Sequence, residues 1–390
     1  MTRHIMVVTG TRADYGLLDP LLAALEASSA FEVGLLVTGT HLDERFGMTV
    51  REIEADRHRI AARVPLPLDD DSEAGVSRAT GAAVSGIATA LADTRPSMVV
   101  ILGDRYEALA AAVAATLMRV PIAHLHGGET TEGAIDDSMR HAITKLSTLH
   151  FVSTEEYGKR VIQMGEDPAR VFCVGALGVD NALRTNLIAP PVLASELGFE
   201  FARPTALMTF HPVTLDDASG VTQVEELLAA FNTLRDVRVL ITRPNADAGN
   251  RVIRERLEAW VAANAPRAKS FASLGRVRYL SAVAACDVVV GNSSSGVIEA
   301  PSLGTPSVDI GDRQAGRVRA ASVIHAEPER EMIADAIQRA LSADFAAMAA
   351  LTPNPYGDGH AAQRIVDVLS VTRNLITRKR FRDLPDEGER

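Results

Sequence analysis

Cysteine, tryptophan and long apolar runs are scarce in this chain: 390 residues hold two cysteines, one tryptophan and 4% aromatics. Two thiols make no disulfide framework, and Cys173 and Cys286 have no neighbours at metal-site spacing. Both are expected to be small buried residues in a reducing compartment. No apolar run is long enough to span a bilayer, and Ile5 to Val8 is too short for the core of a signal peptide. A soluble, cytoplasmic protein with no membrane partner is expected. Basic excess is missing too, with 40 Lys+Arg against 50 Asp+Glu and a formal net charge of −10. Holding a polyanion needs the opposite balance, so nucleic acid is excluded as the main partner. One small anion needs only a few placed cations, and net charge does not bear on it.

What remains is an ordinary globular composition, 47% hydrophobic and 23% charged. The length exceeds what one core serves, so two domains are expected. Short apolar runs at 5–9, 32–37, 98–102, 122–126 and 151–153 alternate with helical patterns at 16–27, 75–94, 108–118 and 138–149. The same grammar returns with strands at 206–210, 237–242, 288–291 and 307–310, and helices at 221–234, 251–263, 277–285 and 295–303. Strands apolar on both faces, each followed by a helix, predict doubly wound parallel sheets. We expect an N-terminal Rossmann-like domain over 1–178 and a linker at 178–203 around Pro190-Pro191. A second such domain over 203–359 follows, then a helix over 360–377 returning to the first domain and a charged tail to 390. Two such domains in series are expected to face a common cleft, with ligands at the carboxyl ends of the strands.

The residues at those strand ends are polar. Gly10-Thr11-Arg12-Ala13-Asp14-Tyr15-Gly16 suits an anion at a helix N-terminus, or a plain turn capped by Asp14. It is neither the dinucleotide fingerprint nor a Walker loop. Asp104-Arg105 follows the next strand, as a capping pair or a site. His124-Leu125-His126-Gly127-Gly128-Glu129 ends another; the alternating histidines suggest a metal, but no third ligand supports one. Asp136 and Asp137 open a helix, where dipole compensation and i,i+4 pairs Asp136–Arg140 and Asp137–His141 explain them. In the second half, His211 and Arg243-Pro244-Asn245 end strands. Gly291-Asn292-Ser293-Ser294-Ser295-Gly296 offers backbone N–H groups, hydroxyls and a helix start to a diphosphate-sized anion. Glu299 lies one turn further, placed to accept from ribose hydroxyls, and Arg313 and Arg317 follow the last strong strand.

Together GTRADYGLL, GDRYEAL, HLHGGE, DDSMRHAITK, His211-Pro212-Val213-Thr214, RPNADAG, GNSSSG and GDRQAGR resemble the hydrolysing UDP-N-acetylglucosamine 2-epimerases of sialic- and legionaminic-acid biosynthesis. The resemblance runs co-linearly from about residue 5 to 324. It implies a glycosyltransferase-B-like fold, a nucleotide-sugar substrate, no metal or cofactor, and a homodimer or homotetramer. The implied reaction eliminates UDP to leave a glycal and adds water to give the free 2-epimer. The implied substrate is UDP-N-acetylglucosamine or its 2,4-diacetamido-2,4,6-trideoxy analogue. Asp104 and Asp136 or Asp137 are then the active-site carboxylates, and His211 is a binding or acid group on the pyrophosphate side. Arg12, Arg105, Asn245, Ser293, Ser294, Glu299 and Arg313 match nucleotide-binding positions, with Arg243, Ser295 and Gly296 beside them. Where the family commonly places a catalytic glutamate this chain has His126, so either His126 transfers the proton or Glu129 supplies the carboxylate. A non-hydrolysing epimerase, a glycosyltransferase of the same fold and a sugar-binding protein without chemistry are the competing readings.

Overall fold

The structure, a computed structural model, describes residues 2–70, 72–131, 135–211, 219–243, 250–373 and 377–383. The chain forms two compact units, which divide between Asp180 and Asn181 and between Asp358 and Gly359, with Thr130 and Thr131 grouping with the second. The first is built on β1 (Arg3–Thr9), β2 (Phe31–Thr38), β3 (Ile60–Val64), β4 (Met98–Leu102), β5 (Ile122–Leu125), β6 (Leu149–Val152) and β7 (Val171–Cys173). Their order is β3-β2-β1-β4-β5-β6-β7, with every pairing parallel. The second is built on β8 (Thr205–Thr209), β9 (Arg238–Thr242), β10 (Ala268–Phe271), β11 (Val288–Gly291), β12 (Ser307–Ile310) and β13 (Val323–Ala326). They run parallel in the order β10-β9-β8-β11-β12-β13. Strand order therefore reverses between β1 and β4 in one unit and between β8 and β11 in the other. Such switch points are where open α/β sheets bind ligands.

The central strands are buried on both faces, which is why they read as continuous apolar runs. On β1, Ile5 and Val7 enter one core with Leu18, Leu21 and Leu22, while Met6 and Val8 enter the opposite core with Ile87, Leu91 and Ile101. Each such side chain contributes about 1.5–3 kcal/mol by leaving water. The helix expected at 360–377 is Ala361–Val371. Its Ala361, Ala362, Ile365, Val366 and Leu369 complete the first unit's core beside Leu18 and Leu22. Asp180 fixes its start, accepting from the N–H groups of Ala361 and Ala362 at 2.9 Å each.

Several expectations are corrected. The helix read from 16 starts at Arg12, and its cap is Thr11, not Asp14; Asp14 is the N3 partner of a capping box. The stretch 178–203 is not a plain linker, because Leu177–Arg184 and Pro190–Leu197 are helical, with the two prolines in the first turn where no N–H is needed. The helix expected at 295–303 breaks into Ser294–Ile298 and a 3₁₀ turn, Ala300–Leu303, at Pro301. Cys173 is exposed, and only Cys286 is buried.

Candidate active site

The first unit's polar cluster hangs on one guanidinium. Arg140, on the helix Asp136–Leu146, is 4% exposed and pairs with Asp104 after β4. The same group donates to the carbonyl of His126 at 3.0 Å and lies 3.7 Å from Glu129 Oε2. The i,i+4 pair expected between Asp136 and Arg140 is thus replaced by a longer-range one, whereas Asp137 does approach His141 Nε2 at 3.4 Å. Burial first, and then the Asp104 charge, raise the Asp136 carboxyl above its ordinary value. Asp104, clamped to Arg140, is therefore close enough to oppose the ionisation of Asp136.

His126 sits just beyond β5 with a left-handed φ of 63°. Its Nδ1 lies 2.9 Å from Glu129 Oε1 and its Nε2 accepts from the Leu177 N–H at 3.4 Å, so both ring nitrogens face the protein. Glu129 Oε1 also accepts from Ser153 at 2.7 Å. His124 is fully buried within β5. Its Nε2 donates to the Gly103 carbonyl at 2.8 Å, Nδ1 meets the Thr144 hydroxyl at 3.2 Å, and burial holds the imidazole down to about 3. Among the described residues no group of three or more His, Cys, Asp or Glu side chains is arranged to hold a metal ion.

At the end of β1 the anion position expected of the glycine-threonine turn is filled from within. Asp14 accepts from the Gly10 and Thr11 N–H groups at 3.0 Å each and from the Thr9 hydroxyl at 2.7 Å. His41 joins through Thr9 at 2.9 Å and Thr49 at 2.8 Å. Gly39 is needed here, since a Cβ at its φ of 60° would stand 2.5 Å from the Gly10 carbonyl. Arg12 turns to Glu52 at 3.2 Å with both side chains about half exposed. Arg105 turns to the buried Glu107 at 3.2 Å; burial pulls its guanidinium down, but Glu107 outweighs this and holds it above its ordinary value.

The second unit's switch point is held by an amide. Asn292, fully buried, accepts from the His211 N–H at 2.7 Å and donates to the His211 carbonyl at 2.8 Å. Its own carbonyl accepts from Arg313 at 2.9 Å and Gln314 at 3.0 Å. Preceding it, Gly291 has φ 139°, and a Cβ there would lie 1.8 Å from the Thr209 carbonyl, so only glycine lets β11 end against β8. Burial and then the Arg313 charge pull His211 down to about 3. The serine run divides: Ser293 and Ser294 are partly open, whereas Ser295 and Gly296 are buried, with Gly296 accepting from Ser307 at 2.6 Å. Glu299 closes the short helix. Arg243 bonds Glu258 at 2.7 Å. Asn245 and the run 212–214 lie outside the described residues.

Sequence reasoning assigned no site role to Arg140, Asn292, His41, Glu107 or Tyr279. Arg140 and Asn292 stood inside quoted motifs, and the signal was available: each is a polar residue in a segment the fold must bury. Burial raises the Tyr279 phenol, helped by Glu299 and opposed by Ser295, and nothing in the local sequence marks it.

Comparison with known proteins fits this geometry. Residues 23–370 match the family described as UDP-N-acetylglucosamine 2-epimerase. A Campylobacter jejuni protein named GDP/UDP-N,N'-diacetylbacillosamine 2-epimerase (hydrolyzing) is 39% identical over 83% of this chain and 84% of its own. The UDP-N,N'-diacetylbacillosamine 2-epimerase (hydrolyzing) of Legionella pneumophila is 36% identical over 95% of this chain and 96% of its own. The crystal structure of Neisseria meningitidis UDP-GlcNAc 2-epimerase bound to UDP-GlcNAc shares the fold, with TM-score 0.80, 18% identity and coverage of 94% and 99%. The chain belongs to the UDP-N-acetylglucosamine 2-epimerase family.

Proposed function

We propose that the chain is a hydrolysing 2-epimerase that releases UDP and the free mannosamine-type 2-epimer from a UDP-linked 2-acetamido sugar. The observation that carries this is the Asp104–Asp136 pair beside Arg140 at the β4 edge. The C2 hydrogen of such a sugar is not acidic, so C1–O cleavage leads, with the bonding pair leaving on UDP. Asp104 is the carboxylate that stabilises positive charge developing on the ring. Asp136, whose environment raises its proton affinity, takes the C2 proton as C1=C2 forms. Water then adds across the glycal, hydroxyl to C1 and proton to C2 from the other face. Asp137 stands by as a further acid, paired with His141.

His126 and Glu129 act in this reading by holding Arg140, and through it Asp104, because their polar atoms are already engaged. Ser293, Ser294, the N–H groups opening the short helix and Arg313 receive the diphosphate, with Arg12 and Arg105 as cations on the first unit. His211, held neutral, serves as a hydrogen-bond donor. Glu299 takes ribose hydroxyls, and Asn245 and Arg243 belong to the nucleotide side by resemblance. Identity of 36–39% to relatives named as hydrolysing favours that branch over the non-hydrolysing alternative, and their names favour the 2,4-diacetamido-2,4,6-trideoxy sugar over N-acetylglucosamine. Self-association as a dimer or tetramer, a cytoplasmic setting and a role ahead of sialic- or legionaminic-type acid synthesis belong to the same reading.

The test is turnover of each nucleotide sugar in deuterated water, followed by NMR. Free UDP with a C2-deuterated free 2-epimer is expected, faster from the diacetamido substrate. An intact UDP-linked epimer, or no turnover without an acceptor, overturns the proposal.

A further inference from the structure

A cleft of about 490 Å³ opens on the first unit and shares no lining residue with the β1–β4–β5 edge. One wall is the chain around Glu166 and the short 3₁₀ turn Pro168–Arg170, and the other is the stretch 378–382 beyond the last helix. That stretch is pinned. Lys379 Nζ bonds Glu166 at 2.6 Å and the Lys145 carbonyl at 2.8 Å, and the Arg382 N–H bonds the Gly165 carbonyl at 3.1 Å. Phe381 lies over Gly165, where any Cβ would come 2.6 Å from the ring, and Lys145 stands 5.0 Å from its centroid.

Charge in this cleft is unbalanced. Both of its acids are already satisfied. Against the upward pull of burial, bonds from His150, Lys145 and Lys379 bring Glu166 down to about 2. Asp167 caps the 3₁₀ turn at Ala169 N, 3.1 Å, and takes Arg382 at 2.6 Å. Arg170, Arg378 and Arg380 have no ion-pair partner among the described residues, and Arg170 Nη1 is sealed from solvent with no hydrogen bond. A desolvated guanidinium donor without an acceptor is rare, because its lost water is not replaced. Beside it Phe381 remains 68% exposed, a flat apolar surface at the mouth of a cationic cleft.

We propose that this cleft binds a nucleoside monophosphate, its phosphate on Arg170 between Arg378 and Arg380 and its base on Phe381. The planar fork of Arg170 matches two phosphate oxygens, and any base has a face to stack on an aromatic ring. The site is separate from the one that holds the substrate's UDP.

The test is calorimetric titration of the full chain, without UDP, with AMP, GMP, CMP and UMP and with inorganic phosphate, the variants of the cleft separating its binding from that at the substrate site. At least one nucleotide is expected to bind more tightly than phosphate. Arg170→Gln is expected to weaken both classes at least tenfold, and Phe381→Ala to weaken the nucleotide alone. Arg380→Gln, which removes no hydrogen bond or ion pair within the described residues, repeats the phosphate effect if Arg170→Gln fails to fold. Absence of binding by all four nucleotides, or affinities unchanged in Arg170→Gln and Arg380→Gln, overturns the proposal.

Discussion

At the β1–β4 edge of the first unit, Asp104, Arg140 and Glu129 form one ionic chain, with His126 against Glu129 and Asp136 beside Asp104. At the β8–β11 edge of the second unit, Asn292, Gln314 and the serine run do the holding, and Arg313 is the charged member. Both edges occupy the same place in the same kind of sheet. One is built from groups that can exchange protons, the other chiefly from dipoles that cannot, with His211 held neutral among them. Under the proposed function the first edge does the chemistry and the second the recognition, and experiment can break that contrast.

The largest effect is expected for Asp104→Asn, which should lower kcat by about 10²–10⁴ while UDP affinity stays within about threefold. An equal loss of UDP binding in calorimetry would erase the contrast. Asn292→Ala should do the reverse. It strands the His211 N–H and carbonyl, at about 1–3 kcal/mol each, and is expected to show in denaturant unfolding together with weaker UDP binding. Glu129→Gln and His126→Gln, as positioning changes, should cost about ten- to a hundredfold in kcat with KM little moved. Unchanged rates in both would remove them from the site altogether.

Smaller effects come from pH. His124 and His211 are both held near 3, below the imidazole's ordinary value, so the unfolded chain binds more protons than the folded one between about pH 6.5 and 3. Stability is complete above that window and falls as pH drops through it, once for each unit, and His211→Asn should remove one share in acid melts. Asp136 has the opposite sign. Its raised folded pKa makes the ionised form costly above that pKa, and the cost vanishes below the ordinary carboxyl value. Asp136→Asn should therefore raise Tm slightly at pH 7 and leave it unchanged near pH 3, even as turnover falls.

The contrast was half legible in the sequence. Central strands such as β1 and β11 declared themselves because burial on both faces demands unbroken apolar runs. Edge strands β3, β7, β10 and β13 did not, since IAARV, VFC, AKSF and VIHA are only partly covered and carry no such run. Residues placed after strands were found as polar punctuation. Their partners were not: nothing local says that Arg140 reaches 36 positions back to Asp104 in preference to Asp136 one turn away. The serine run promised one uniform cradle, but Pro301 shortens its helix and the fold turns Ser295 and Gly296 inward, leaving Ser293 and Ser294.

The helix Ala361–Val371 gives the chain an order of events as it leaves the ribosome. Its five buried side chains sit against Leu18 and Leu22, laid down more than 330 residues earlier. The main body of the second unit, Asn181–Asp358, is synthesised in between, and as a continuous stretch it can close its own core first. The unit that carries the carboxylates is begun first and finished last. Nascent chains released before residue 371 should leave that sheet with an open apolar face, a surface for chaperones rather than for substrate.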